Sequence, residues 1–435
     1  MAGEGSPLIV KEGFEVPRPT SSWLGASFIM ANIVLGSGLL NFPNVYYQAG
    51  GIASTLIIEF GSLIFVQTGI LIIAHCSDIA KKDNYQDSVN YFVGRVGLFF
   101  CNIFIIIHDF GACTTFLVII ADQMDQVMLY AAGSSFCHYW YMNRYFTLTI
   151  LSIVFILPFC FPREIASFRF GSALGILTTV YLFILVAIKY FDPTTAIRLE
   201  DIQIAKGPSN WDAIFKTIPL IVFSFEAHIE GVPIYASLKK RTLGSLSITI
   251  LSSTIICVIV YNFVGIFGYL TFGQYVKSDI LANYYPIDIP VIIGMAMVAL
   301  KCVMTYPPVF FCARLVMMDV FGSMCHQRWG WSERKQRVAV TFVLFSVSVV
   351  MALMVPSIGS IIALLGGSAA LFIFVFPGLC LFMAYVHAQT GKEKMLRLCG
   401  IVFATIGAFL IGTVTTQAIM RYVSGEFEGT EVECI

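Results

Sequence analysis

The chain has 435 residues, of which 26 are basic and 26 acidic, so its net charge is zero; 58% of it is hydrophobic and 12% charged. At a mean hydropathy of +0.83 a chain of this length cannot stay folded in water, and its balanced charge offers no field for nucleic acid. The bilayer is its solvent, and the expected fold class is an all-α integral membrane protein.

Residues 1–21 read as a cytoplasmic tail with Lys11, Arg18 and prolines but no apolar core, so the first span serves as its own insertion signal. Eleven spans follow near 22–47, 52–75, 97–129, 146–161, 170–190, 213–236, 246–271, 289–317, 338–355, 358–386 and 398–420. Their lengths suit a hydrocarbon core of about 30 Å. Pro356-Ser357 divides the ninth from the tenth. With the tail inside, 18 of the 26 basic residues fall on inner segments, 7 on outer ones and Lys301 within a span, as the positive-inside rule requires. Of the twelve cysteines only Cys137 and Cys434 fall on outer segments, so no disulfide framework is expected, and no Asn-x-Ser/Thr sequon occurs.

The first span is interrupted by Leu35-Gly36-Ser37-Gly38, with Asn32 before it and Pro43 after it. An unwound stretch at membrane depth survives only where it is buried in protein or lines a cavity. Here freed amides suit a carboxylate and freed carbonyls a cation, which a zwitterionic amino acid matches on both counts. Close helix packing is the competing explanation for the glycines.

The third span carries Asp109. The sixth is interrupted by Phe225-Glu226-Ala227-His228-Ile229-Glu230-Gly231, then Pro233. Ionisable groups at this depth cost a few kcal/mol each and mark a pathway or a site, although His228 also fits a satisfied structural role. No nucleophile–base motif or second ligand cluster accompanies them, so enzymatic and zinc readings find little support. In the eighth span Lys301 precedes Thr305-Tyr306-Pro307-Pro308. Thr305 either offers oxygen to a hard cation or bonds back to its own backbone. Lys301, one turn earlier, is expected to pair with Asp109, Glu226 or a carbonyl. Two breaks, in the first and sixth spans, point to the binding site of a transporter.

In these motifs, and over nearly its whole length, the chain resembles the sodium-coupled neutral amino acid transporters of the amino acid/auxin permease superfamily. The match runs from Asn32-Ile-Val-Leu-Gly36-Ser-Gly38 to Phe376-Pro-Gly-Leu-Cys380, through Ile218-Pro-Leu-Ile-Val-Phe-Ser-Phe-Glu-Ala-His228, Phe267-Gly-Tyr-Leu-Thr-Phe-Gly273, Thr305-Tyr-Pro307 and Arg314. Phe161-Pro-Arg-Glu-Ile-Ala166 is most similar to the eighth, glutamine-preferring branch. The resemblance implies a leucine-transporter-like 5+5 inverted repeat with broken helices 1 and 6. The parts would be repeats at 22–190 and 213–386, an outer loop at 191–212, and an eleventh helix with a short outer tail at 387–435.

It further implies that Leu35, Gly36, Ser37 and Gly38 hold the substrate's α-amino and α-carboxylate groups. Phe225, Glu226 and His228 would face its side chain, and Asn32 and Thr305 would line a sodium site. Glu226-Ala227, Asp109 and Lys301 depart from the pattern by adding charge in the membrane, Asp109 and Lys301 as an expected charge network. The expected function is sodium symport of glutamine-like neutral amino acids by alternating access. The carrier would be a monomer in the lipid bilayer, most simply the plasma membrane, with a lysosomal membrane as the alternative. Sodium-independent or proton-coupled transport and an amino-acid-sensing receptor are the competing readings; small inner loops disfavour the receptor.

Overall fold

A segment that crosses hydrocarbon has to pair its own backbone groups, and each long apolar run here is helical accordingly. The computed structural model describes residues 21–133, 136, 138–161, 169–192, 202–208, 210–284, 287–355 and 358–424. Outside them lie the tail with Lys11 and Arg18, Cys137, loop 162–166, Arg198, Pro356-Ser357, and the terminal segment with Cys434.

The helices in chain order are Trp23–Val34 (α1), Gly38–Gln48 (α2), Ile52–Ala80 (α3), Tyr85–Ala132 (α4), Arg144–Cys160 (α5), Arg169–Phe191 (α6), Trp211–Ser224 (α7), His228–Ser237 (α8) and Leu243–Phe272 (α9). Then come Ile289–Trp329 (α10), Glu333–Met354 (α11), Ile358–Ala370 continued through Leu371–Val375 to Phe376–Ala384 (α12), and Gly391–Ser424 (α13). Among the described residues nine spans pass by length and composition, α7 and α8 together forming one of them; the pair α1 and α2, bent by 65°, makes a tenth. The shorter apolar α5 fills the remaining place among the eleven. The chain is an all-α membrane protein with broken first and sixth spans.

Helix ends differ from the apolar limits for physical reasons. α4 starts at Tyr85 instead of near 97, because the Asn84 side chain caps the Asp87 N–H at 2.7 Å and polar turns remain helical outside hydrocarbon. It kinks at Gly94, whose φ of 80° is open to glycine and strained for other residues. α10 runs past 317 to Trp329 in the same way. In α5 a wide turn at Ser152–Ile156 and a tight one at Leu157–Cys160 surround Pro158, which has no N–H to give to the ladder.

Two groups of helices set the site. α9 lies along both α1 and α2, α2 and α3 pack on α7, and α3 packs on α8. On the other side α10 lies along α4 and also touches α6 and α11. Arg314, 1% exposed, ties this second group at one end by donating to the Cys160 carbonyl and, at 3.3 Å, to Thr341 Oγ1.

At the end expected to face the cytoplasm, the two broken spans are stitched together: Ser21 N–H donates to Ser237 O at 3.1 Å, and Lys239 N–H to Ser21 O at 3.0 Å. Beside them Arg241 bonds Asp78 and Asp83, and Tyr235 donates to Asp78 at 2.6 Å.

At the opposite end the loop after α9 folds down as a cover. Ile280 lies against Gly268 and Pro43, and Ser278 against Gly359. Asp279, 1% exposed, accepts from Leu281 N–H at 2.9 Å and from the Gln123 amide of α4. Burial pushes the Asp279 carboxyl up to about 6. An acid raised in the folded state favours the protonated form, so its stabilising contribution is complete below about 4 and is lost as pH rises through about 6. Hydrogen exchange in residues 276–284, corrected for intrinsic rate, is therefore expected to be faster at about pH 7.5 than at about pH 5. Asp279→Asn should flatten that difference; the same slope in the Asn variant would assign it to another group.

Candidate functional site

The first break begins where α1 runs out of partners. Leu35 N–H still reaches Ala31 O at 2.9 Å, but Gly36 N–H turns to Val34 O at 2.7 Å and Leu39 N–H to Gly36 O at 3.4 Å. The Val34 and Leu35 carbonyls are therefore released from the helical ladder. Each is met from elsewhere: Tyr261 OH lies 2.8 Å from Val34 O, and Lys301 Nζ donates to Leu35 O at 2.6 Å. On the other side of the break, Ser37 N–H at the head of α2 has no acceptor among the described residues. That is the donor a carboxylate takes at a helix start.

The two glycines differ. A Cβ on Gly36 would meet only Ile33 O at 3.6 Å and Val34 O at 3.9 Å, ordinary contacts. A Cβ on Gly38 would lie 2.5 Å from Ser224 Oγ, 3.1 Å from Ser224 Cβ and 3.2 Å from Tyr261 OH. Packing accounts for Gly38, while Gly36 leaves its backbone approachable.

The second break joins the first through one hydroxyl. Ser224 ends α7, and its carbonyl lies 3.1 Å from the same Tyr261 OH that reaches Val34 O. Phe225, 2% exposed, packs at steep angles against aromatic rings, with centroids 5.0 Å from Tyr261 and 6.4 Å from Phe42. Glu226 Oε1 accepts from His228 N–H at 2.9 Å, so its carboxylate caps the start of α8. Its other oxygen lies 3.7 Å from His108 Nε2 of α4, and His108 Nδ1 is 2.9 Å from Ser368 Oγ.

His228 is fully buried, with Nε2 3.0 Å from Val66 O, which makes Nε2 the protonated nitrogen. A Cβ at Gly69 would fall 2.8 Å from that nitrogen, so a bare α3 backbone is what lets the ring in. The Val66 contact satisfies Nε2 and fixes the ring on α3, while Nδ1 has no hydrogen-bond partner among the described residues and lies 4.0 Å from Glu226 Oε1.

Asp109 and Lys301 do not form the expected charge network. Among the described residues no carboxylate lies within 4 Å of the Lys301 ammonium, because the released Leu35 carbonyl takes it instead. Asp109, 7% exposed, has one oxygen without a partner and lies within electrostatic reach of Glu226 and Glu230. Nor does Glu226 pair with Lys301, being held by the start of α8. Thr305 bonds back to Lys301 O at 2.8 Å, its bland alternative. Asn32 and Lys301 meet at Gly175 of α6, where a Cβ would lie 2.6 Å from Asn32 Oδ1 and 3.7 Å from Lys301 Cε. Among the described residues no cluster of three His, Cys, Asp or Glu is fit to hold a metal.

Tyr261 and Glu59 were missed from sequence. Asn262 Nδ2 donates to Glu59 Oε1 at 3.1 Å, Tyr46 OH donates to Asn262, and Glu59 is fully buried with its other oxygen unpartnered. The available signals were an acidic residue inside the second span and a Tyr-Asn pair inside the seventh. The gap bounded by Met30, Val34, Phe225 and Ala227 holds no more than about one water, so the breaks are closed on one another there.

The family model for transmembrane amino acid transporter proteins matches residues 19–420. Sodium-coupled neutral amino acid transporter 7 of Danio rerio is 35% identical over 97% of this chain and 94% of its own. Its Homo sapiens counterpart is 36% identical over 92% and 88%, and solute carrier family 38 member 8 of Homo sapiens is 32% identical over 93% and 96%. Among solved structures, MhsT in complex with L-phenylalanine aligns with 92% of this chain and 99% of its own at a TM-score of 0.56 and 14% identity, a likeness of fold.

Proposed function

The chain belongs to the transmembrane amino acid transporter family, and from that premise we propose that it carries glutamine-like neutral amino acids by sodium symport with alternating access. It is a multi-pass membrane protein and an amino acid transporter, not an enzyme. The observation that carries the finer reading is the Tyr261 hydroxyl, which brings the released ends of both broken spans to one point. Around that point Ser37 N–H offers a donor to the α-carboxylate, and Gly36 leaves room for the substrate backbone. Glu226, with Asp109 and His108 near it, stands on the side where a substrate side chain would lie. Phe225 packs the floor, and His228 fixes the second break to α3.

Sodium is a second substrate in this reading. Relatives named as sodium-coupled match nearly the whole chain, and Asn32 and Thr305 are oxygen donors of the kind a hard cation takes. A cation beside a bound carboxylate makes the loading of each favour the other, which is the physical basis of symport. The repeats at 22–190 and 213–386 would rock about the fixed site. One chain holds both breaks, so a monomer suffices, and the plasma membrane is the simplest location.

The reading is tested by net uptake of labelled amino acids into sealed vesicles holding the full chain. An inward sodium gradient should drive glutamine above its equilibrium level, and choline in place of sodium should not. Binding without uptake would make the protein a receptor, and equal accumulation in choline would remove sodium from the mechanism.

A further inference from the structure

We propose that Lys301 is a built-in competitor of the coupling sodium ion for the Leu35 carbonyl, and that it ties the first broken span to α10 whenever the ion is absent. The inference rests on the sodium-coupled reading above. The Leu35 carbonyl is released by the break, since Leu39 N–H goes to Gly36 O. The end of a half-helix, with its partial negative charge, is where a cation settles. At that carbonyl, 2.6 Å away, stands the Lys301 ammonium.

The surroundings place the lysine among the residues expected to hold sodium. Its stem meets Asn32 at Gly175, where the missing side chain of α6 makes room for both. Its own carbonyl takes the Thr305 hydroxyl one turn along. Among the described residues no carboxylate lies within 4 Å to hold the ammonium elsewhere. An ammonium at membrane depth needs partners, and this half-buried one uses a carbonyl that a cation would use.

Sodium and the ammonium cannot share that oxygen, because two positive charges in contact at low dielectric repel strongly. Loading the ion therefore requires the ammonium to withdraw, which the flexible four-carbon stem of lysine allows. Unloading lets it return. In the empty protein the break keeps a positive charge and a bond to α10, which packs chiefly along α4. The tie thus closes the vacant site for the return half of the cycle, which exchange of bound substrate does not need.

The experiment compares wild type, Lys301→Met, Lys301→Gln and Lys301→Arg, each as the full chain in sealed proteoliposomes, with choline replacing sodium across a concentration series. Lys301→Met should lower the half-saturating sodium concentration at least about tenfold, because the competitor is gone. Lys301→Gln keeps a donor for Leu35 without the charge, so it should show the same fall and stands in if the Met variant fails to assemble. Lys301→Arg keeps the charge and should stay within about threefold of wild type. In the Met and Gln variants net uptake should slow at least about fivefold relative to glutamine exchange, which moves no empty carrier. An unchanged half-saturating sodium concentration in both neutral variants overturns the proposal. A wild type indifferent to sodium instead overturns the coupling reading on which it rests.

Discussion

Gly38→Val is expected to abolish uptake and to lower the amount of protein reaching the membrane, whereas Gly36→Val should abolish uptake with the amount unchanged. The contrast follows from what each added side chain meets. At residue 38 even one carbon falls 2.5 Å from Ser224 Oγ and 3.1 Å from Ser224 Cβ, so the two broken spans are forced apart. Overpacking of this kind costs about 1–3 kcal/mol, and more for a branched side chain. At residue 36 the atoms nearest an added Cβ are 3.6 Å away or farther, so that carbon fits and the side chain takes up the space proposed for an arriving substrate. Membrane amount and glutamine uptake, measured on the same cells, check both halves. Gly38→Ala should also be rescued in part by Ser224→Gly, which removes both offending atoms, and an additive double mutant would mean the contact does not matter. Normal glutamine affinity in Gly36→Val would refute the substrate role of that backbone.

Glu226 is expected to separate charge from geometry. Glu226→Gln retains an oxygen to accept from His228 N–H, so the start of α8 stays capped and glutamine uptake should persist. If Glu226 ionises beside a cationic substrate, Glu226→Gln, which cannot ionise, should cut uptake of histidine or arginine about tenfold relative to glutamine, equivalent to about 1.4 kcal/mol. Glu226→Ala loses the cap as well, at a cost of about 1 kcal/mol, and should depress transport of every substrate. A competition panel across the two variants reads the difference. An unchanged selectivity profile in the Gln variant would leave Glu226 as a cap alone.

The breaks were legible because their composition contradicts their depth: Gly-Ser-Gly and Glu-Ala-His-Ile-Glu have no ordinary place in a hydrophobic span. Spacing also put Lys301 and Thr305 on one helical face, which the Thr305 bond to Lys301 O confirms. What spacing could not give was the neighbour that face meets. Lys301 finds Leu35 across 266 residues, and His228 finds Val66 across 162. Periodicity fixes which side of a helix is buried, but not the rotation and height at which helices from distant parts of the chain dock. Tyr261 was passed over for the same reason, since a tyrosine in an apolar span is ordinary until two released carbonyls are seen beside it. Apolar limits likewise understated α4 and α10, whose polar turns remain helical beyond the hydrocarbon.

The satisfaction of the first break also orders events during synthesis. Apart from the Gly36 N–H that meets Val34 O locally, its two released carbonyls depend on Tyr261 and Lys301, which lie 227 and 266 residues downstream of the residues they serve. At roughly 5–20 residues per second, the ribosome supplies those partners only tens of seconds after residue 36 has emerged. Through that interval hydrocarbon would penalise every unpaired group, so the nascent first span is best accommodated as one continuous helix, or inside the insertion machinery. The bend is then a late acquisition, made when the seventh and eighth spans arrive. A chain truncated after α8 should keep its first span straight and lipid-facing, exposed to quality control as an unfinished protein.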